Sequence, residues 1–257
     1  MRTYRVIVAD PPWRYEDGLR AMKAKTKRAT DQHYRVLDLA AIRDLPVRQL
    51  AEKDAVLGCW CPSSMLEDGI GVMRAWGFRQ TQEWTWIKLT VQRDAEIAVS
   101  YDGQIAIHEK AALRALAGVA RKADRVQVGR GAFNDGDGLA VDLPLAFGNG
   151  RIARAAKEVF LVGVRGRAYR YLRDKSTRDV FFAAVGTHSQ KPECFQDALD
   201  RMFPEGERLE LFARRPRPGW ACVGNEAPAT PGEDIRDTLA RLLAGGPVAA
   251  PPLTRAG

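Results

Sequence analysis

The sequence predicts an α/β fold, a doubly wound sheet of mixed or mostly parallel strands with helices on both faces. Three observations predict it. Short apolar runs rich in Val, Ile, Leu and Phe recur along the chain without polar alternation, the pattern of strands buried on both faces. Stretches with apolar residues at helical spacing alternate with those runs, and the connections between them are short. The chain has 257 residues, 46% of them hydrophobic, which is enough for one substantial core and too apolar for wholesale disorder. A β-barrel or a helical bundle does not fit this order.

The first strand is Val6-Ile7-Val8-Ala9, stopped by Pro11 and Pro12, which have no backbone N–H to continue a ladder. A basic loop follows from Tyr15 to Thr30, with Arg20, Lys23, Lys25, Lys27 and Arg28. Asp38 to Val47 reads as a short helix, N-capped by Asp38 and ended at Pro46. Ala55 to Cys61 is a buried strand closed by Pro62. Ser63 caps a helix running to about Trp76, and Gly77 ends it. Thr81 to Leu89, rich in aromatic and β-branched residues, is the next strand. Residues 91–149 break the rhythm and read as an insertion or lid. They hold a helical stretch over Ile107 to Ala123 and a turn-rich loop from Gly129 to Gly138. The rhythm resumes with strands at Lys157 to Val164 and Val180 to Val185, a helix over Pro192 to Met202, and strands at Leu209 to Ala213 and Trp220 to Val223. The segment 227–257 is rich in Pro, Ala and Gly. It reads as a flexible tail carrying a short amphipathic helix with Ile235, Leu239, Leu242 and Leu243 on one face, expected to dock on the body rather than on a partner.

Composition narrows the function classes. No apolar run reaches the ~18–20 residues that span a bilayer. The first strand starts too early to leave room for a signal peptide, so the expected location is the cytoplasm. Cys59 and Cys61 could point the same way from a strand. With three histidines in the chain and no second pair of that kind, buried free thiols are the expectation, and no metal is. The net charge of +8 favours a polyanionic partner. Oligomeric state, monomer or homodimer, stays open.

The chemistry gathers at Asp10-Pro11-Pro12-Trp13. A carboxylate at the carboxyl end of a buried parallel strand stands where open α/β sheets bind ligands. The prolines fix the direction of the Pro11 carbonyl, and Trp13 offers an aromatic face. Two acceptors and a stacking surface suit a planar base bearing an amine. The same tetrapeptide also makes an ordinary strand-to-loop exit.

Asp10-Pro11-Pro12-Trp13 after a hydrophobic strand resembles the signature of the MT-A70 family of N6-adenine methyltransferases, in its compact prokaryotic and phage form. Further blocks are similar in order and spacing: His33-Tyr34 with the 38–47 helix, Trp84 to Lys88, Glu158 to Gly166, His188 to Glu193, and Leu209 to Glu226. The resemblance covers roughly residues 1–90 and 150–226 and implies a Rossmann-like class I methyltransferase with permuted motif order. It implies S-adenosylmethionine as cofactor and adenine as substrate, in DNA more than RNA, with a non-catalytic nucleic-acid-binding subunit as the other possibility. Carried over residue by residue, Asp10, Pro11, Pro12 and Trp13 are catalytic. Asp10, Lys191, Arg214, Asn225, Glu226 and, more weakly, Glu210 bind the cofactor. Trp13, Tyr15, Lys23, Lys25, Lys27 and Arg28 meet the substrate, with the basic loop and the insertion as contact surfaces. His33 and His188 are expected to be structural or substrate-loop residues and not general bases.

Overall fold

The computed structural model describes residues 2–14, 37–89, 97–99, 105–107, 145–146, 148, 152–186 and 190–247. In chain order its elements are β1 (Tyr4–Ala9), α1 (Leu39–Arg43), α2 (Val47–Leu50), β2 (Ala51–Cys61), α3 (Leu66–Ala75), β3 (Arg79–Leu89), β4 (Ile97–Val99), β5 (Ile105–Ile107), β6 (Lys157–Arg165), β7 (Val180–Ala184), α4 (Cys194–Met202), β8 (Arg208–Leu211), β9 (Ala221–Val223) and α5 (Ile235–Leu243). Seven strands form one sheet in the order β7-β3-β6-β2-β1-β8-β9, and β4 and β5 pair separately. The chain divides into two compact units. The first is Met1–Trp84, Glu158–Thr177 and Gln196–Gly257, and the second is Thr85–Lys157 and Arg178–Phe195.

In the first unit β1 is the central strand. It pairs in parallel with β2 on one side and with β8 on the other, and β8 pairs in parallel with β9. Only β6 runs antiparallel, against β2. The sheet is therefore mixed and mostly parallel, with helices on both faces. Side chains alternate across it as strand geometry requires. Ile7, Ala9, Leu57, Cys59, Cys61, Leu161, Leu209 and Leu211 join one core with Ile42, Val47, Leu50, Met73 and Trp76 from the helical segments. Val6, Val8, Trp60 and Phe160 are buried too but fall on the other face. There Phe160 meets Trp60 edge-on with ring centroids 4.9 Å apart. Its ring lies across Gly58, where a Cβ would come within 2.0 Å of the ring, so any side chain here would have to displace Phe160. In the second unit the later half of β3 pairs in parallel with β7, and Phe181 packs on Phe195 at 4.2 Å.

Two local expectations change and a third is met. The 38–47 helix divides into α1 and α2, because Pro46 has no N–H to donate and disfavours helical geometry at Leu45. Asp38 caps α1 as expected, its Oδ1 accepting from the Ala41 N–H at 2.7 Å. Ser63 is not a side-chain cap. It opens a 3₁₀ turn in which the Met65 N–H reaches the Pro62 carbonyl, and α3 begins after it. The helix expected in the tail is α5, and it docks on the body as expected. Ile235, Leu239 and Leu242 are in the main core, and Asp234 caps it through the Arg236 N–H. An apolar stripe of that size is more stable docked than in water. Ile107, the first residue of the expected helix, ends β5, and the rest of that helix, with the glycine-rich loop at 129–138, lies outside the described residues.

Candidate active site

Parallel pairing on both sides of β1 makes its carboxyl end a topological switch point. The chain leaves towards β2 on one side, and β8 closes the other. Ala9 pairs with Leu211, and the Asp10 N–H points at the Leu211 carbonyl at 3.4 Å. The residues that end β1, β8 and β9 are thus gathered at one edge of the first unit. Asp10, half-buried, follows β1. Arg214 follows β8, and Asn225 and Glu226 follow β9, both with exposed side chains. Arg214 Nε lies 3.9 Å from Glu226 Oε1, so two of the expected cofactor contacts meet. An ion pair this exposed and this long adds little stability.

The Asp-Pro-Pro-Trp segment is rigid for reasons beyond its prolines. The Trp13 N–H turns back to the Pro11 carbonyl at 2.8 Å. That carbonyl keeps a second lone pair for another donor. Trp13 Nε1 donates to the Trp60 carbonyl at 2.8 Å, and the indole belongs to the core with 9% of its surface exposed. This corrects the expectation of an open stacking face. In this structure Trp13 anchors the loop to β2 and positions Asp10. The Asp10 charge is felt by the neighbouring Cys59 thiol, which burial, then Cys61, then Asp10 hold well above its ordinary range. Burial likewise pushes Cys61 up to about 12.

Glu210 is placed differently from the other cofactor candidates. It sits within β8, in register with Val8 and Cys222, and turns towards the face covered by α4. Its carboxylate accepts from Cys222 Sγ at 3.6 Å and lies beside Gln196 of α4. Burial raises its pKa, while Gln196, Arg215 and Arg217 act the other way. In this structure Glu210 links β8 to β9 and α4. Alternation along the strand puts its side chain on the sheet face opposite Leu209 and Leu211. Nearby, Arg217 binds Asp197 and Asp200 of α4 at 2.5 and 2.8 Å, fastening the loop that carries Arg214.

Lys191 belongs to the second unit, half-buried just ahead of α4. Tyr15, Lys23, Lys25, Lys27, Arg28, His33 and His188 lie outside the described residues.

Two residues that carry no functional signal in the sequence help to build the edge. Phe212, at the end of β8, has φ +62°. A bulky side chain rarely adopts that left-handed geometry, and holding it there costs about 1–3 kcal/mol. Gly224 makes it possible, because a Cβ there would come within 2.8 Å of the Phe212 Cα. No sequence signal marks Phe212, since Gly, Asn and Asp are the usual occupants of such a position. Thr230 is fully buried and bonds both the N–H and the carbonyl of Gly224. Its place in a Pro-rich stretch that reads as a tether concealed it.

The arrangement fits the donor set of S-adenosylmethionine. Glu226 and Asn225 provide acceptors for hydroxyl groups, Asn225 also provides a donor, and Arg214 provides a cation, on the loops that follow β8 and β9. Among the described residues, no helix is long and apolar enough to cross a membrane.

The MT-A70 family model matches residues 4–130 and 142–226. The chain is 22% identical over 240 residues to the type II methyltransferase M.MunI of Mycoplasma sp, covering 88% of this chain and 79% of that protein. It is 25% identical to the human N(6)-adenine-specific methyltransferase METTL4 over 88% of this chain and 38% of that protein. The human N(6)-adenosine-methyltransferase catalytic subunit METTL3 is 23% identical over 87% of this chain and 28% of its own length. The chain thus spans well under half of the last two.

Proposed function

Because this chain belongs to the MT-A70 family, we propose that it is an S-adenosylmethionine-dependent methyltransferase acting on the N6 amine of adenine in DNA, in the cytoplasm. The observation that supports this most is the convergence of Asp10 with Arg214, Asn225 and Glu226 at the carboxyl edge of β1, β8 and β9. The cofactor, when bound, supplies an electrophilic methyl group. Arg214, Asn225 and Glu226 hold it, and Lys191 pairs with its carboxylate.

The adenine amine is a weak nucleophile, because its lone pair is conjugated with the ring. The Asp10 carboxylate and the free lone pair of the Pro11 carbonyl accept its two N–H hydrogens. This fixes the amine and offsets the positive charge that grows on nitrogen during transfer. A charged acceptor there contributes about twice what a neutral one does. The methylated nitrogen then loses its proton readily, so no dedicated base is assigned. Pro12 holds the turn rigid, and Trp13 anchors it. The basic loop with Lys23, Lys25, Lys27 and Arg28 is assigned to the phosphate backbone and Tyr15 to the base.

The DNA reading is supported by the relative named a type II methyltransferase, most of whose length the chain covers. An RNA reading draws on the relatives named as N(6)-adenosine methyltransferases, because adenosine is the ribonucleoside. The decisive experiment offers the purified protein radiolabelled S-adenosylmethionine with DNA or RNA oligonucleotides. Label in DNA that disappears in Asp10→Ala, with an unchanged unfolding midpoint, is the expected result. Label only in RNA refutes the DNA assignment, and normal activity of Asp10→Ala refutes the role of Asp10.

A further inference from the structure

Asn225 and Glu226 stand on a loop that could have been slack. It leaves the sheet after β9, and both side chains are exposed. Its backbone, however, is tied down from the far side by residues beyond the family match, which ends at 226. Thr230 has none of its surface exposed. Its Oγ1 accepts the Gly224 N–H at 3.0 Å and donates to the Gly224 carbonyl at 2.8 Å. One hydroxyl therefore uses its donor and one of its two acceptor sites on the two backbone groups of a single residue. The loop is closed further by Ala227 N–H to Gly224 O at 3.0 Å, Thr230 N–H to Ala227 O at 2.9 Å and Gly232 N–H to Asn225 O at 2.7 Å. The chain beyond the loop is held down as well. Asp234 caps α5, Glu233 receives Thr238 Oγ1 at 2.8 Å, and Ile235, Leu239 and Leu242 enter the core.

We infer that Thr230 is a positioning residue for the cofactor, and that the segment from Ala227 through α5 is a built-in clamp that sets Asn225 and Glu226 in their binding geometry before the cofactor arrives. The inference rests on the methyltransferase reading and extends it to the 227–243 segment. Gly224 is the hinge of the device. Its bare Cα passes close to the Phe212 backbone, where a Cβ would come within 2.8 Å, and Thr230 holds it from the other side, so it links the clamp to both strand ends. Without the hydroxyl, the buried Gly224 N–H has no partner and the loop gains alternative conformations. Only a fraction of molecules is then competent to bind, and the apparent affinity falls by that fraction.

The test is calorimetric titration of the full chain with S-adenosylmethionine, comparing wild type with Thr230→Val and Thr230→Ser. Valine keeps the shape and removes the hydroxyl, and serine keeps the hydroxyl. Thr230→Val is expected to bind about tenfold more weakly, equivalent to about 1.4 kcal/mol, with kcat at saturating cofactor little changed. Thr230→Ser is expected to recover most of the affinity. Equal affinity of wild type and Thr230→Val, with only the unfolding midpoint lowered, overturns the positioning role. No binding by the wild type overturns the methyltransferase reading instead. A wild-type measurement covers the case in which Thr230→Val does not fold. The Gly224 amide should be protected from hydrogen exchange without cofactor, and exchange at the rate of a free peptide there would overturn the clamp.

Discussion

The substitution Trp13→Phe separates an anchoring indole from a stacking one. The structure sets its magnitude. Trp13 is 9% exposed, sits in the main core and donates Nε1–H to the Trp60 carbonyl at 2.8 Å. Phenylalanine cannot donate, so a buried carbonyl loses that bond, at a cost of about 1–3 kcal/mol. The smaller ring also leaves volume unfilled, adding about 1 kcal/mol. Together these predict a loss of about 2–4 kcal/mol, the range set by how far the site collapses. Urea unfolding of the two proteins measures it. The midpoint should fall while the m-value stays constant, because the surface exposed on unfolding is nearly the same. A change below about 0.5 kcal/mol, the level of an ordinary surface substitution, would refute the anchoring argument. It would return Trp13 to the role of an exposed aromatic face.

Two further outcomes come from buried titratable groups. Burial raises the pKa of Glu210 in the folded state, so between its unfolded and folded pKa values the native protein binds more protons than the unfolded chain does. Stability contributed by this group therefore falls as pH rises through that window and stays lower above it. Glu210→Gln should stabilise the protein at neutral pH, with the advantage shrinking as pH drops below the ordinary carboxylate value. A destabilised variant at pH 7 would show that the ionised carboxylate is needed. In the native protein at pH 8, iodoacetamide should modify Cys194, which is only partly buried, well before the others. Cys59, Cys61 and Cys222 are buried, and burial holds Cys61 and Cys222 up at about 12. Peptide mapping that finds Cys61 labelled as fast as Cys194 would contradict this.

Much of the fold was legible because its determinants are local. The Val6–Ala9 run, the prolines after it and the Asp38 cap act over a few residues, and each appears where the sequence puts it. The carboxylate at the end of β1 was readable for the same reason. Other features depend on partners distant in the chain. Glu210 and Arg214 are both polar residues after an apolar one, and only the register of β8 turns the first towards α4 and leaves the second at the edge. Trp13 reads the same whether it faces solvent or Trp60, because the deciding carbonyl is 47 positions away.

The sequence by itself determined the element order, the apolar stripes and the inventory of chemical groups, because periodicity and backbone chemistry act within a turn or a strand. Only the tertiary structure decided which groups meet. Pairing β8 beside β1 joins the two ends of the chain at one edge, and packing α5 into the core turns an apparent tether into part of the body. Strand order and helix docking are settled by which apolar faces bury each other best, a sum over contacts from many segments that no single stretch encodes.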